Sequence, residues 1–209
     1  MKGLFITGTD TDVGKTYVTS LLARQLKAAG YGVSARKPVA SGCSHGCVDA
    51  EHLAKATDED PFIVCPYRFA PAISPERAIR LAGKTISLID CVDVCRNSQT
   101  FTLVEGTGGW LSPLCSDADN ADLAHALAQP VLLVASNRLG CINQTRLTLQ
   151  AIEQRGLTCL AIILNEVSPD SDADNLFDLQ RLIPVPIFSL AYQAKQLPEA
   201  LVARVSSRI

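Results

Sequence analysis

Along the chain, unbroken apolar runs alternate with stretches whose apolar positions recur at helical spacing. The first run, Lys2–Thr7, carries Leu4, Phe5 and Ile6 and reads as a strand. A helical pattern follows over Lys15–Ala29. Gly32–Lys37 reads as a second strand, then comes a loop and a short helix that starts at Asp49 and covers Ala50–Ala56. Thr85–Asn97 reads as a helix on the spacing of Ile86, Ile89, Val92 and Val94, and Phe101–Glu105 as a strand. Asn120–Ala128 is helical, and Pro130–Ala135 is a buried strand through Val131, Leu132, Leu133 and Val134. The pattern then gives a helix over Cys141–Arg155 capped by Gly156, a strand over Thr158–Leu164, and a helix over Asp172–Leu182. It closes with a strand at Val185–Leu190 and a helix at Gln196–Ser207. Strands without polar alternation, separated by helices, predict an α/β fold: a parallel sheet covered by helices on both faces. No repeat or linker interrupts it, so residues 1–209 read as one domain. Gly42–Cys47 and Gly106–Asp119 stand out as functional loops.

The junction between the first strand and first helix carries the most specific chemistry. It reads Gly8-Thr9-Asp10-Thr11-Asp12-Val13-Gly14-Lys15-Thr16. Strand, glycine loop, Lys-Thr and helix together make a phosphate-binding P-loop. Backbone N–H groups and the helix N-terminus face the phosphates, Lys15 neutralises them, and Thr16 offers a hydroxyl to Mg²⁺. Five residues separate Gly8 from Gly14, one more than the usual four, so the loop must be slightly larger. The fold expected is therefore a P-loop NTPase-type sheet, and the ligand a nucleoside triphosphate.

A second acidic element completes such a site. Glu105 ends the Phe101–Glu105 strand just before Gly106, Gly108 and Gly109. In an open parallel sheet that end is where ligands bind, and a carboxylate there is the expected Mg²⁺ partner of the P-loop hydroxyl. Asp49 is a further candidate, although on its own an Asp at a helix start reads as an N-cap.

Composition narrows the partners. The net charge is −2 with no basic block, so neither nucleic acid nor an anionic membrane is indicated. The chain opens directly on a strand, with no leader to remove, so a cytoplasmic location is expected. There the eight cysteines are expected to be reduced. Cys43, His45 and Cys47, with Cys91 and Cys95 one helical turn apart, lack the familiar zinc-ligand spacings. They read better as incidental thiols of an exposed loop and a helix face.

The P-loop, as Gly-Thr-Asp-Thr-x-Val-Gly-Lys-Thr with its extra residue, closely resembles that of the dethiobiotin synthetases. Other segments match in order. Arg36-Lys37-Pro38-Val39-Ala40-Ser41-Gly42 is similar to that family's catalytic lysine loop. Val104-Glu105-Gly106-Thr107-Gly108-Gly109-Trp110 is similar to its metal and substrate loop, with Thr107 where Ala is common. Leu139-Gly140-Cys141-Ile142-Asn143 resembles the segment that reaches a substrate bound mainly by the neighbouring subunit. Asn165 ends a strand as the family's adenine-reading Asn does. The resemblance spans about Met1 to Pro186. The sequence departs from the family in a short stretch between Gly42 and Asp49 and in Glu76 after Ser74-Pro75, where His is frequent. It departs again at Ser189-Leu190-Ala191-Tyr192, where the family often has Gly, a branched residue and Pro before an aromatic.

The resemblance implies an ATP- and Mg²⁺-dependent cyclo-ligase of biotin synthesis. It would join CO₂ to 7,8-diaminononanoate (7,8-diaminopelargonate) through a carbamate and a carbamic–phosphoric anhydride, giving dethiobiotin, ADP and phosphate. Lys37 would hold the carbamate and the transferring phosphoryl group. Lys15 would neutralise phosphates, and Thr11 and Ser41 would donate hydrogen bonds. Thr16, Asp49 and Glu105 would gather the metal. The nucleotide would meet Asp12, Val13, Gly14, Lys15, Thr16, Tyr17, Asp49, Glu105, Gly106, Gly108 and Asn165. The diamine would meet Ser41, Gly108 and, from the partner of a homodimer, Leu139, Gly140, Cys141, Ile142 and Asn143. Backbone amides at that helix start suit the substrate's carboxylate. Two other classes use the same chassis. A partition-type switch ATPase would show a DNA- or membrane-binding surface, and a cobyrinate-type amidating ligase would normally carry a glutaminase region.

Overall fold

The computed structural model describes residues 2–96 and 99–209; the expected ends at Met1 and Asn97 lie outside them. In chain order the elements begin β1 (Gly3–Gly8), α1 (Lys15–Ala28), β2 (Val33–Arg36), β3 (Val39–Ala40), α2 (Val48–Thr57), α3 (Pro61–Val64), β4 (Tyr67–Arg68) and α4 (Pro75–Leu81). They continue with α5 (Leu88–Arg96), β5 (Phe101–Glu105), β6 (Pro113–Cys115), β7 (Ala118–Asp119), α6 (Asn120–Leu127) and β8 (Val131–Ser136). The last are α7 (Cys141–Gln154), β9 (Cys159–Asn165), α8 (Asp174–Leu182), β10 (Ile187–Leu190) and α9 (Glu199–Ser206).

Six strands form one sheet in the order β10-β9-β8-β1-β5-β2, and every pairing within it is parallel. The period of two along each strand sends alternate side chains to opposite faces. Leu4 and Ile6 of β1 join a core with Val18, Leu22 and Leu26 of α1 and Leu201 and Val205 of α9. Phe5, between them, joins a second core with Val92 of α5, Leu123 of α6, Ile152 of α7 and Leu179 of α8. Both faces are thus dry, which is why the strands read as continuous apolar runs. The α/β, helix-covered parallel sheet expected from the pattern is the observed architecture. Among the described residues no helix is long and apolar enough to cross a membrane.

Several boundaries differ from the pattern. Thr85–Ser87 precede α5 rather than joining it, because Asp90 accepts hydrogen bonds from the Ser87 N–H and hydroxyl at 2.8 and 2.6 Å and so starts the helix there. The expected helix cap Asp49 is the second residue of α2, and Cys47 is its cap. Gly42–Cys47 is not simply an exposed loop with incidental thiols. Ser44, His45 and Gly46 are exposed, but Cys47 is buried against Ala40, Ala50 and Cys65. Gly106–Asp119 contains the small antiparallel pair β6–β7, and β3 pairs with β4 in a second two-stranded sheet.

Candidate active site

β1, β2 and β5 lie side by side, so the segments after them emerge together at one end of the sheet. After β1 the enlarged P-loop turns through Asp12 and Gly14, both in the left-handed region at φ 57° and 94°. Asp12 is a non-glycine residue in that region, and it falls within the stretch that carries the additional residue. Gly14 has no alternative: a Cβ there would lie 2.3 Å from Nδ2 of Asn165. The Lys15 ammonium folds back to donate to the carbonyl of Asp10 at 2.9 Å.

The charged residues beneath the loop converge. Thr16 Oγ1 donates to Glu105 Oε1 at 2.7 Å. Lys37, which follows β2, places its Nζ 2.7 Å from the same Glu105 oxygen and 2.6 Å from Asp49 Oδ2. Lys37 and Glu105 are almost fully buried, whereas Asp49 is partly open to solvent. Two ammonium groups and two carboxylates therefore share one pocket. Burial, with the neighbouring Lys37 charge, lowers the Lys15 pKa to about 8. Burial opposes the Lys37 ammonium as well, but Glu105 and Asp49 outweigh it and hold its pKa above the ordinary lysine value. Asp49 is lowered in turn, because Lys37 outweighs its own burial. Glu105 Oε2 is buried with no hydrogen-bond partner among the described residues.

Above this cluster lies a cleft of about 830 Å³. Of the residues singled out in the sequence, Thr11, Asp12, Gly14, Lys15, Thr16, Tyr17, Lys37, Ser41, Asp49 and Gly108 line it. Glu105 and Gly106 are buried beneath its floor. Val13 is buried, with its carbonyl accepting from Asn165 Nδ2 at 3.0 Å. Asn165 does end its strand, β9, but it sits behind the P-loop and not on the cleft wall. Leu139–Asn143 also stays outside the cleft of its own chain. Leu139 is fully exposed, Gly140 (φ 91°) caps α7 with open space where a Cβ would stand, and Cys141 is buried.

Three contributions were given no site role from the sequence. Ser74 and Pro75, at the start of α4, form part of the wall. Asn120 is wholly buried at the first turn of α6. Its Nδ2 donates to the carbonyls of Thr107, Gly109 and Ser112 at 2.8, 3.0 and 3.1 Å, and its Oδ1 accepts from the Thr107 N–H at 3.0 Å. It thereby sets the Gly106–Ser112 loop, and it explains Gly106, where a Cβ would lie 2.7 Å from Asn120 Oδ1. Thr107, present where Ala is common in the resembling family, donates its hydroxyl to the Val39 carbonyl at 2.5 Å and ties that loop to the one carrying Lys37. Among the described residues no group of three or more His, Cys, Asp or Glu side chains is arranged to hold a metal. Thr16, Asp49 and Glu105 instead offer a hydroxyl and two carboxylates, the hard-oxygen set that suits Mg²⁺ when phosphates and water complete the shell.

Residues 2–195 match the family model described as an AAA domain. The chain is 46% identical over 178 residues to the ATP-dependent dethiobiotin synthetase BioD of Anaeromyxobacter sp. strain K, covering 82% of this chain and 80% of the relative. To the enzyme of that name from Anaeromyxobacter dehalogenans strain 2CP-C it is 39% identical over 221 residues, covering 98% and 99%. The one from Xanthomonas axonopodis pv. citri is 39% identical over 194 residues, covering 87% of each. Solved structures give the fold alone. The signal recognition particle receptor FtsY of Elizabethkingia anophelis superposes with a TM-score of 0.58 at 15% identity, over 99% of this chain and 65% of that longer one. The cell division protein FtsY of Thermotoga maritima does so with a TM-score of 0.58 at 14% identity, over 98% and 68%.

Proposed function

Since this chain belongs to the ATP-dependent dethiobiotin synthetases, a family of ligases, we propose that it closes the ureido ring of dethiobiotin from 7,8-diaminononanoate, CO₂ and ATP. The observation that carries this reading is the meeting of Lys15, the first residue of α1, and Lys37, just after β2, in one cleft with Thr16 and Asp49 above the buried Glu105. A phosphate-binding loop alone fits any nucleotide enzyme. A second buried ammonium at the same place is what a reaction between two anions needs.

One amine adds to CO₂ and loses a proton, giving a carbamate. A carbamate oxygen attacks the γ-phosphorus of ATP and ADP leaves. The second amine then attacks the carbamoyl carbon, closing the ring and expelling phosphate. In this scheme Lys15 and the P-loop N–H groups hold the β- and γ-phosphates. Lys37 screens the carbamate from the phosphate it approaches. The hydroxyls of Thr11 and Ser41, both on the cleft wall, orient the amines and carbamate. Thr16, Asp49 and Glu105 would hold Mg²⁺; the unpartnered Glu105 Oε2 is a buried oxygen in want of a cation. The metal supplies further charge neutralisation on the phosphates. The carboxylate at the far end of the diamine is assigned to the N–H groups of Gly140–Asn143 from a second subunit, consistent with the full exposure of Leu139. Adenine recognition is assigned to the neighbourhood of Asn165, and the enzyme's setting to the cytoplasm.

Phosphate release from ATP tests the reading. Release should depend on diaminononanoate and bicarbonate together. Stimulation by DNA or lipid vesicles in their place would replace this reading with a partition-type switch ATPase.

A further inference from the structure

Lys37 sits between the two carboxylates proposed to hold the metal. Its single Nζ bridges Glu105 Oε1 and Asp49 Oδ2 at 2.7 and 2.6 Å. Thr16, the third candidate ligand, donates its hydroxyl to the same Glu105 Oε1. Mg²⁺ binds oxygen at about 2.1 Å, so an ion shared by those two carboxylate oxygens would stand where the ammonium stands. Two cations do not fit there. Charge counting points the same way. Two carboxylates and Lys37 sum to −1, whereas two carboxylates and Mg²⁺ sum to zero and leave the ammonium without a counter-ion. Lys37 lines the cleft, so the direction left to it is toward the reacting anions.

We propose that Lys37 is the resident counter-ion of the metal carboxylates, and that it is displaced into the cleft when a divalent cation takes Asp49 and Glu105. This rests on the reading of those residues as the Mg²⁺ site. It gives the enzyme an order of assembly. Without metal, the ammonium that should meet the carbamate is held at the cleft's edge by Asp49 and Glu105. Once the metal is in place, that ammonium is free and faces the only charge able to neutralise it, the carbamate and the transferring phosphoryl group. Metal arrival and lysine activation become one event. Because a ligand shifts such an equilibrium only by its differential affinity for the two states, the exchange also lowers metal affinity relative to an empty pair of carboxylates.

The test is acylation of Lys37 by acetic anhydride, quantified by peptide mass spectrometry on the full chain with no nucleotide. Exposed Lys55 and Lys84 serve as internal references. Burial and the ion pairs withhold the amine in metal-free protein. Saturating Mg²⁺, with binding followed by calorimetry, should raise the Lys37 rate roughly ten-fold or more relative to the references. The Asp49→Asn, Glu105→Gln double variant, its fold checked by circular dichroism, should show fast labelling that ignores Mg²⁺. An unchanged or slower Lys37 rate at Mg²⁺ saturation would overturn the exchange, since the ion would then be using Glu105 Oε2 and the other Asp49 oxygen beside a stationary lysine. Absence of any Mg²⁺ binding would overturn it too. If labelling stays flat while Mg²⁺-dependent dethiobiotin synthesis proceeds, only the exchange fails. If labelling responds but no dethiobiotin forms, the proposed reaction fails and the exchange remains.

Discussion

At the scale of single residues, two lysines of the same charge are assigned different work, and the difference is measurable. Lys15→Ala and Lys37→Ala should each lower ring closure by about 10²–10⁴-fold, the usual cost of removing a preorganised charge from a phosphoryl-transfer site. Lys15→Ala should also weaken ATP binding strongly, whereas Lys37→Ala should retain ATP affinity and lose turnover. Steady-state kinetics with direct nucleotide-binding measurements separate the two, and near-normal turnover of Lys37→Ala would remove its assignment. Lys15 also predicts a pH effect. Burial and the adjacent Lys37 bring its pKa down to about 8, and the charged form is the one that meets phosphate. Affinity for ADP in chelator should therefore hold below that pH and fall above it, by up to about ten-fold per unit, with proton uptake visible by calorimetry in two buffers. A flat profile would contradict the assignment. Glu105 and the P-loop stood out in the sequence because each sits beside glycines in a motif with a physical reading, whereas Lys37 was named only through the resemblance of its segment to a family. Asn120 was not, because an Asn at a helix start looks like any polar first-turn residue. Only the structure shows its amide spent on a distant glycine loop.

At the scale of elements, β1, β8 and β9 were readable because both of their faces are buried, so each carries a long apolar run; β2, with Ser34 and Arg36, was readable mainly from its place between a helix and the loop. The short pieces were not. β3, β4 and β7 have two residues each, too few for any period to register, and α4 has seven. Yet α4 and the segment before β6 supply part of the cleft wall. What holds that wall is the α6 start, where Asp119 and Asp122 form a reciprocal capping box and Asn120 gathers the Gly106–Ser112 loop. Asn120→Ala should destabilise the protein by about 2–4 kcal/mol, since it strips a buried loop of several hydrogen bonds at once. It should also raise the KM for diaminononanoate more than that for ATP, if the loop takes the diamine as proposed. Thermal unfolding and two-substrate kinetics check both, and a variant of wild-type stability would show that the loop is held by something else.

At the scale of the whole molecule, one chain brings the P-loop, Lys37 and the acidic pair together but leaves Leu139–Asn143 outside its own cleft. A two-fold dimer would make two such segments reciprocal, each completing the other chain's site. Mixing Lys37→Ala chains with chains carrying Gly140→Trp and Asn143→Ala, each inactive alone, should then restore activity in part, because one site of each heterodimer has both intact halves. Proven exchange without recovery would rule out the shared site. The central claim, ATP-driven ring closure of a diamine with CO₂, is tested most directly by mass spectrometry of the product made from diaminononanoate, ATP and isotopically labelled bicarbonate. The account predicts dethiobiotin carrying the label in its ureido carbon, formed in step with ADP and phosphate. ATP consumed without a labelled ring product would contradict it.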